Sequence, residues 1–190
     1  MDIVSTTEKQ KMHPHKFTLW VAIGSLIMMF AGLTSAFIVK SNQDKWIPVA
    51  LPMIFWISTG MILLSSLTMQ LSLRSFKDRE MSKYRFLIGA TVVLGAAFII
   101  CQWLGFQQLW EQKITFKGSG GGQFLYVIFG LHALHVVGGL IVLLIMFIKG
   151  FLGKTKNYSS VPVEVAATYW HFVDALWIYL LVFFLVLGKN

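Results

Sequence analysis

The chain has 190 residues, of which 56% are hydrophobic and only 13% are charged. A soluble domain averages about 25% charged residues, so the composition argues against a water-facing globular protein. The formal net charge of +8 would suit a nucleic-acid-binding protein, but the basic residues fall in the segments that flank long apolar runs. Nucleic acid is therefore not an expected partner.

Five apolar stretches of 23 to 27 residues run along the chain, and none of them contains Lys or Arg. As helices they would be about 35–40 Å long, enough to cross a hydrocarbon core of about 30 Å. A helix also satisfies its own backbone hydrogen bonds, as lipid requires. The sequence predicts an all-α integral membrane bundle of five transmembrane helices, forming a single membrane domain over residues 1–190. The predicted spans are Phe17–Val39, Ile47–Leu73, Phe86–Leu109, Phe124–Ile148 and Val163–Leu187.

The segments outside the spans are short. Residues 1–16 are predicted to form a polar tail, and the apolar run behind them is too long for the core of a cleaved signal peptide. The GSGGG run (Gly118–Gly122) predicts a flexible lead into the fourth helix. Glu111 is expected to follow the end of the third helix. The lone cysteine, Cys101, excludes an intramolecular disulfide.

Basic residues are distributed unequally between the two ends of the predicted bundle. Eleven of the sixteen Lys and Arg residues flank one side and five flank the other. Such residues concentrate in cytoplasmic loops, which predicts a cytoplasmic N-terminus and a C-terminus outside. They would also meet anionic lipid headgroups. The eleven are Lys9, Lys11, Lys16, Arg74, Lys77, Arg79, Lys83, Arg85, Lys149, Lys154 and Lys156, and the five are Lys40, Lys45, Lys113, Lys117 and Lys189.

Small and hydroxyl-bearing residues within the spans predict close helix packing. Helix one carries the pairs Ala31/Ser35 and Gly32/Ala36, which let backbones approach each other where no hydrophobic drive favours association. Helix three repeats this pattern and helix two carries hydroxyls. The small residues of helix three are Gly89, Ala90, Gly95, Ala96 and Ala97, and the hydroxyl-bearing residues of helix two, which follow Pro48 and Pro52, are Ser58, Thr59, Ser65, Ser66 and Thr68.

Aromatic residues near the ends of the spans are predicted to lie at the interface between membrane and water. They are Trp20, Trp46, Trp56, Trp110 and Tyr126.

Two polar stripes interrupt the last two spans. His132 and His135 share a face of helix four, while Glu164 and His171 share a face of helix five, with Asp174 about 60° further round. A charge at the bilayer centre costs about 2.5–3.5 kcal/mol on insertion scales. These groups are therefore expected to face each other, a partner subunit, lipid headgroups or water, but not acyl chains.

On the residues alone, four interpretations of the stripes stay open. The three histidines with an acid could form a metal site, or His171 could pair with a helix-four histidine across a haem. Glu164, His171 and Asp174 could line a proton or solute path. The residues favour the fourth interpretation, hydrogen bonding between helices and contact with lipid or another subunit. Gln102, inside helix three, likewise needs a partner on another helix.

The segments GLHALHVVGG (Gly130–Gly139) and EVAATYWHFVDALWIYLLVFF (Glu164–Phe184) resemble subunit III of the haem–copper oxidases. The hexapeptide YWHFVD (Tyr169–Asp174), preceded by a glutamate at its usual spacing, is the most specific match. FAGLTSAF (Phe30–Phe37) and LGAAFIICQWLGFQQLWE (Leu94–Glu111) fit in the same order. The resemblance extends from the first span to the end of the chain and indicates the short, five-helix bacterial form.

The resemblance implies a non-redox accessory subunit of a proton-pumping cytochrome c oxidase, multi-pass in the bacterial inner membrane. Haem and copper would lie in partner subunits, and the expected partners are oxidase subunits I and II and bound phospholipid, with a larger respiratory supercomplex left open. The subunit would stabilise subunit I and support proton uptake. This chain would then hold no cofactor, metal ligand or catalytic residue. The polar set carried over as bracing the bundle or its lipid cleft is His132, His135, Glu164, His171, Asp174 and Gln102.

One position departs from the family pattern, and some alternatives remain. The family commonly places a glutamate where this chain has Leu26, so a proton-handling role of that site is open.

The sequence does not distinguish a cytochrome c oxidase subunit from that of a quinol-oxidising relative, because the electron donor binds to another subunit. An oxidase assembly factor and a free-standing transporter are the alternatives from other classes. A transporter would show broken helices near the midplane and internal repeats, and neither is seen in the sequence.

Overall fold

A computed structural model describes residues 14–41, 52–111, 120–152 and 159–187. Every helix in these ranges is long and apolar enough to cross a membrane, and the same ranges contain no β-strand. The predicted all-helical architecture with five spans is therefore confirmed. The helices are α1 (Pro14–Ser41), α2 (Ile54–Lys77), α3 (Met81–Glu111), α4 (Gly120–Leu152) and α5 (Val161–Leu187).

Several helices extend beyond the apolar runs from which they were predicted. Helix α1 begins at Pro14, a residue suited to the first helical position because its missing N–H would have no partner there. Residues 14–16 therefore belong to α1 and not to the polar tail. Helix α4 begins at Gly120, so the glycine run is partly helical where a flexible lead was predicted. Glu111 is the last residue of α3 and does not follow it.

Helix α2 begins later than predicted and leads directly into α3. Its first residue is Ile54, two positions after Pro52, while Trp46, Ile47 and Pro48 lie outside the described residues. At the other end, Arg79 adopts a left-handed backbone with φ 62°. The short turn of residues 78–80 therefore reverses the chain, and α2 and α3 form an antiparallel hairpin.

Helix α5 is the centre of the bundle. It contacts α1, α2 and α4, while α3 packs on α2 and α4, and α4 also packs on α1. Of the 18-residue apolar segment of α5, 44% of the residues are buried inside the protein, against 22–28% of the residues in the corresponding segments of the other four helices. Among the described residues, α1 makes no comparable contact with α2 or α3. Polar groups on α5 are therefore placed to meet three different neighbours.

The side chain of Trp170 joins four helices at the core. Its Nε1 donates a hydrogen bond to the Ser65 hydroxyl of α2 at 3.1 Å. A Cβ atom built on Gly95 of α3 would lie 3.0 Å from the Trp170 ring, and one built on Gly139 of α4 would lie 3.1 Å from it. Both glycines thus leave space that the indole of α5 fills, which confirms the predicted close approach in helix three.

The small residues of α1 behave differently. Ala31, Gly32, Ser35 and Ala36 are all exposed, and a Cβ on Gly32 would meet nothing within 4 Å. The tight packing predicted for this face is not made by the described part of this chain. The physical reason is that α1 touches its neighbours α4 and α5 through its other face, where Phe30, Thr34 and Phe37 are buried.

Candidate functional site

The hydroxyls of α2 act as a row of hydrogen-bond partners for the helices around it. The Ser58 hydroxyl accepts a bond from the Gln102 side-chain amide at 3.1 Å. The Thr59 hydroxyl accepts one from Trp177 Nε1 at 3.0 Å. Each of these two hydroxyls in turn donates to the backbone carbonyl of Phe55, about one turn earlier in α2, and so both donates and accepts within the chain. Gln102 thus has the partner on another helix that its place in the span requires.

His171 is held by α2 at both ring nitrogens. Its Nδ1 lies 2.6 Å from the Ser66 hydroxyl, and its Nε2 lies 3.2 Å from Oε1 of Gln70. Because the Gln70 oxygen can only accept, this geometry assigns the proton to Nε2 and leaves Nδ1 to accept from Ser66. The Ser66 hydroxyl is also adjacent to the carboxyl of Asp174. That carboxyl is buried, and neither of its oxygens is hydrogen-bonded within the described part of the chain.

The two histidines of α4 have different surroundings. His132 is only 2% exposed, and its ring stacks on Trp177 with the ring centroids 5.5 Å apart. Neither of its nitrogens has a hydrogen-bond partner among the described residues. His135 bonds through Nδ1 to a carbonyl of its own helix at 2.7 Å. Its backbone carbonyl accepts a bond from the Tyr169 hydroxyl of α5 at 3.1 Å.

Glu164 lies at the beginning of α5 and joins the ends of two other helices. One carboxylate oxygen is 2.7 Å from Nζ of Lys16, near the start of α1, and the other is 3.0 Å from Nζ of Lys77, the last residue of α2. The three side chains are partly exposed. The start of α1, the end of α2 and the start of α5 therefore meet at one end of the bundle, as alternating helix directions require.

The polar residues therefore form separate contacts and not one cluster. The α5 face with His171 lies against α2, and Glu164 lies at the end of the bundle, while the α4 histidines lie among aromatic rings. No group of three His, Cys, Asp or Glu side chains in residues 14–41, 52–111, 120–152 and 159–187 is close enough to share a metal ion. A site built from His132, His135 and His171 together is accordingly not formed.

The comparison with known families decides what kind of bundle this is. The family model for cytochrome c oxidase subunit III matches residues 8–189. The chain belongs to the cytochrome c oxidase subunit III family. As a member of this family it is a multi-pass membrane protein and a subunit of a terminal oxidase, so the resemblance to subunit III of the haem–copper oxidases is confirmed.

Bacterial relatives match along almost the whole chain. The cytochrome c oxidase subunit 3 of Bacillus subtilis (strain 168) is 26% identical, over 96% of this chain and 95% of its own. That of Bacillus sp. (strain PS3) is 26% identical over 89% of this chain and 84% of its own. That of Alkalihalophilus pseudofirmus is 29% identical over 97% of both chains. The match therefore includes all five helices.

Some residues of this subunit III were not singled out by the sequence. Trp170 and Trp177 are seven residues apart, so they share a face of α5, and both donate to hydroxyls of α2. That spacing, opposite a hydroxyl-rich helix, was the available signal. A further bond joins Thr34 of α1 to the Tyr179 hydroxyl of α5 at 3.1 Å. Leu26, where the resemblance led us to expect a glutamate, is partly buried near the middle of α1.

Proposed function

We propose that this chain is the non-redox subunit III of a proton-pumping cytochrome c oxidase. It stabilises subunit I and supports the proton uptake of that subunit, while haem and copper reside in the partner subunits I and II. The observation that carries this proposal is the family match over residues 8–189. Membrane phospholipid bound along the bundle is part of the same proposal.

The side-chain chemistry supports a bracing role. The ring of His171 uses both nitrogens within the chain, and the carboxylate of Glu164 uses both oxygens. A carboxylate or imidazole that bonds to neighbouring helices in this way stabilises the bundle. The exposed small residues of α1 offer a face that a further helix or a lipid chain could approach closely. This face is where we place contact with the rest of the complex.

We also propose that the N-terminus is cytoplasmic, that the C-terminus is outside, and that the membrane is the bacterial cell membrane. The support is the concentration of Lys and Arg at one end of the bundle. That end includes the Lys16–Glu164–Lys77 contact and the short α2–α3 turn with Arg79. Placing it in the cytoplasm puts most of the basic side chains beside anionic headgroups.

Deleting the gene and purifying the remaining oxidase tests the supporting role. We expect the oxidase without this chain to keep its haem absorbance and its initial rate of oxygen reduction. It should lose activity within fewer turnovers than the complete enzyme and pump fewer protons per electron. Re-expression of the chain is the control. An unchanged turnover lifetime and pumping ratio would contradict the proposal, as would loss of one haem signal from an otherwise assembled complex.

A further inference from the structure

Asp174 places a carboxyl group at the midpoint of α5. It is the middle residue of the 27 in that helix, so each end of the helix is about 20 Å away along its axis. The residue is 3% exposed, and neither of its carboxyl oxygens has a hydrogen-bond partner within the described part of the chain. An acid in this position needs either a cation beside it or a proton of its own, because an isolated carboxylate is very costly to bury.

The cations of the neighbouring helices do not pair with this carboxyl. Helix α5 packs on α1, α2 and α4, and the ion pairs among the described residues do not include Asp174. Two lysines that reach α5 bind Glu164 instead, about 15 Å from Asp174 along the helix axis. The two α4 histidines stack on an aromatic ring or bond to a carbonyl of their own helix. The groups concerned are Lys16, Lys77, His132 and His135.

One polar neighbour of Asp174 belongs to a series of hydrogen bonds that leads away from it. The Ser66 hydroxyl of α2 is adjacent to the carboxyl and lies 2.6 Å from Nδ1 of His171. Nε2 of the same ring donates to Oε1 of Gln70 at 3.2 Å. Since Ser66 gives its own proton to Nδ1, its oxygen has lone pairs that can accept. A protonated carboxyl would supply the donor, so that every donor points in one direction, from Asp174 to Gln70.

We propose that Asp174 is a proton-binding site within the membrane-spanning part of the protein. Its carboxyl is a neutral acid that donates a hydrogen bond to the oxygen of Ser66, at the head of the series that continues through His171 to Gln70. One proton thereby removes the charge from the middle of α5 and gives the sealed side chain a partner on α2. The ligand of this site is the proton itself, so no further group has to enter the bundle.

The sequence left open a proton path lined by Glu164, His171 and Asp174. In the structure the described bonds end at Gln70 and do not include Glu164, whose carboxylate binds two lysines at the end of the bundle. These contacts support a place where a proton is held and not a continuous path. The inference goes beyond the proposed function and does not depend on it, because it rests on side chains of this chain alone.

Infrared spectroscopy of the purified complex that contains this chain tests the proposal, because a protonated carboxyl has a C=O stretching band distinct from the bands of a carboxylate. The wild-type spectrum minus that of Asp174→Asn should contain one carboxylic acid band. Asparagine is neutral and similar in shape, so we expect this variant to assemble. A difference spectrum with carboxylate bands and no carboxylic acid band would overturn the proposal.

Ser66→Ala tests the bond while the acid itself is kept. Loss of the acceptor should move the C=O band to a higher frequency, because donating a hydrogen bond weakens the C=O bond of the acid. Thr59→Val is the matched control, since that α2 hydroxyl bonds to Trp177 of α5, and here the band should not move. An unmoved band in Ser66→Ala, or an equal shift in the control, would contradict the proposal. This comparison holds even where Asp174→Asn does not assemble.

Discussion

The Nδ1 atom of His171 lies 2.6 Å from the hydroxyl of Ser66, although the two residues are 105 positions apart in the chain. The same imidazole reaches Gln70 one turn further along α2 through its Nε2. His171 belongs to α5, whereas Ser66 and Gln70 both belong to α2, so the two bonds join one pair of apolar helices. The contact therefore fixes the rotation of α5 against α2 and places Trp170 on the Ser65 side of the same interface.

The first prediction concerns this contact. His171→Ala removes two interhelical hydrogen bonds, and such bonds contribute about 0.6 kcal/mol each on average in membranes, with about 1.7 as a maximum. We expect the free energy of unfolding to fall by about 1–3 kcal/mol, and the chain to dissociate more readily from its complex while haem absorbance stays. Unfolding in denaturing detergent measures this.

A double-mutant cycle of His171→Ala with Ser66→Ala isolates the pair. The double variant should lose less stability than the sum of the losses in the two single variants, because the two side chains share one bond that either substitution removes. Ser25→Ala is the matched control, since that hydroxyl is exposed and, within the part of the chain that the structure describes, bonds to the Ala22 carbonyl of its own helix. A coupling energy of zero, or an equal loss in the Ser25 variant, would show that the His171–Ser66 contact contributes nothing specific.

The second prediction compares two adjacent glycines of α4. A Cβ on Gly139 would lie 3.1 Å from atoms of both Trp170 and Tyr169, whereas a Cβ on Gly138 would meet nothing within 4 Å. Because Trp170 is fully buried and hydrogen-bonded, it cannot move away easily. Gly139→Ala should therefore destabilise the chain by about 1–3 kcal/mol through overpacking, while Gly138→Ala should be neutral or stabilising. Equal thermal stability of the two variants would contradict the packing described here.

The third prediction concerns the ion pairs at one end of the bundle. Glu164→Gln weakens the contacts with Lys16 and Lys77, and partly exposed pairs of this kind contribute about 0.2–1 kcal/mol each. The loss of stability should be measurable at low ionic strength and should shrink at about 1 M salt, where the Debye length is about 3 Å. Glu80→Gln is the control, because among the described residues Glu80 forms its ion pair with Lys83, one turn away. A Glu164 effect that does not change with salt would show that the carboxylate acts through packing.

The fourth prediction concerns orientation. Alkaline phosphatase, which is active only outside the cytoplasm, should be active when fused after Asn190 and inactive when fused after Glu80 in the α2–α3 turn. Green fluorescent protein at the same two positions should give the opposite result. The reverse pattern would show that the excess of basic residues does not set the orientation of this chain.

Hydropathy alone was enough to predict the number and type of the helices, because a lipid-spanning helix has a minimum length and few charges. It located their ends less well. Residues outside the apolar runs, such as Pro14 and Gly120, continue a helix without contributing to such a run. Helical periodicity also gave the right relation between His132 and His135 within one helix, since it depends only on the residue spacing.

Periodicity cannot tell which neighbour a helical face will meet. His171 was therefore considered with the α4 histidines, although α5 turns this side chain towards Ser66 of α2. The same limit applies to small residues. Gly95 and Gly32 occur in similar sequence patterns, but the first is filled by Trp170 and the second is exposed. Only the arrangement of the helices distinguishes a contact within the chain from a face left for lipid or a partner.

Affinity purification of this chain from its native membrane in mild detergent, followed by a visible absorption spectrum of the eluate, tests the central claim most directly. The family membership and the proposed function predict haem absorbance bands together with two larger co-purifying subunits. Under the same conditions, the Gly138→Ala variant should give the same spectrum. A colourless protein of 21.5 kDa that elutes alone from intact, respiring membranes would contradict the account.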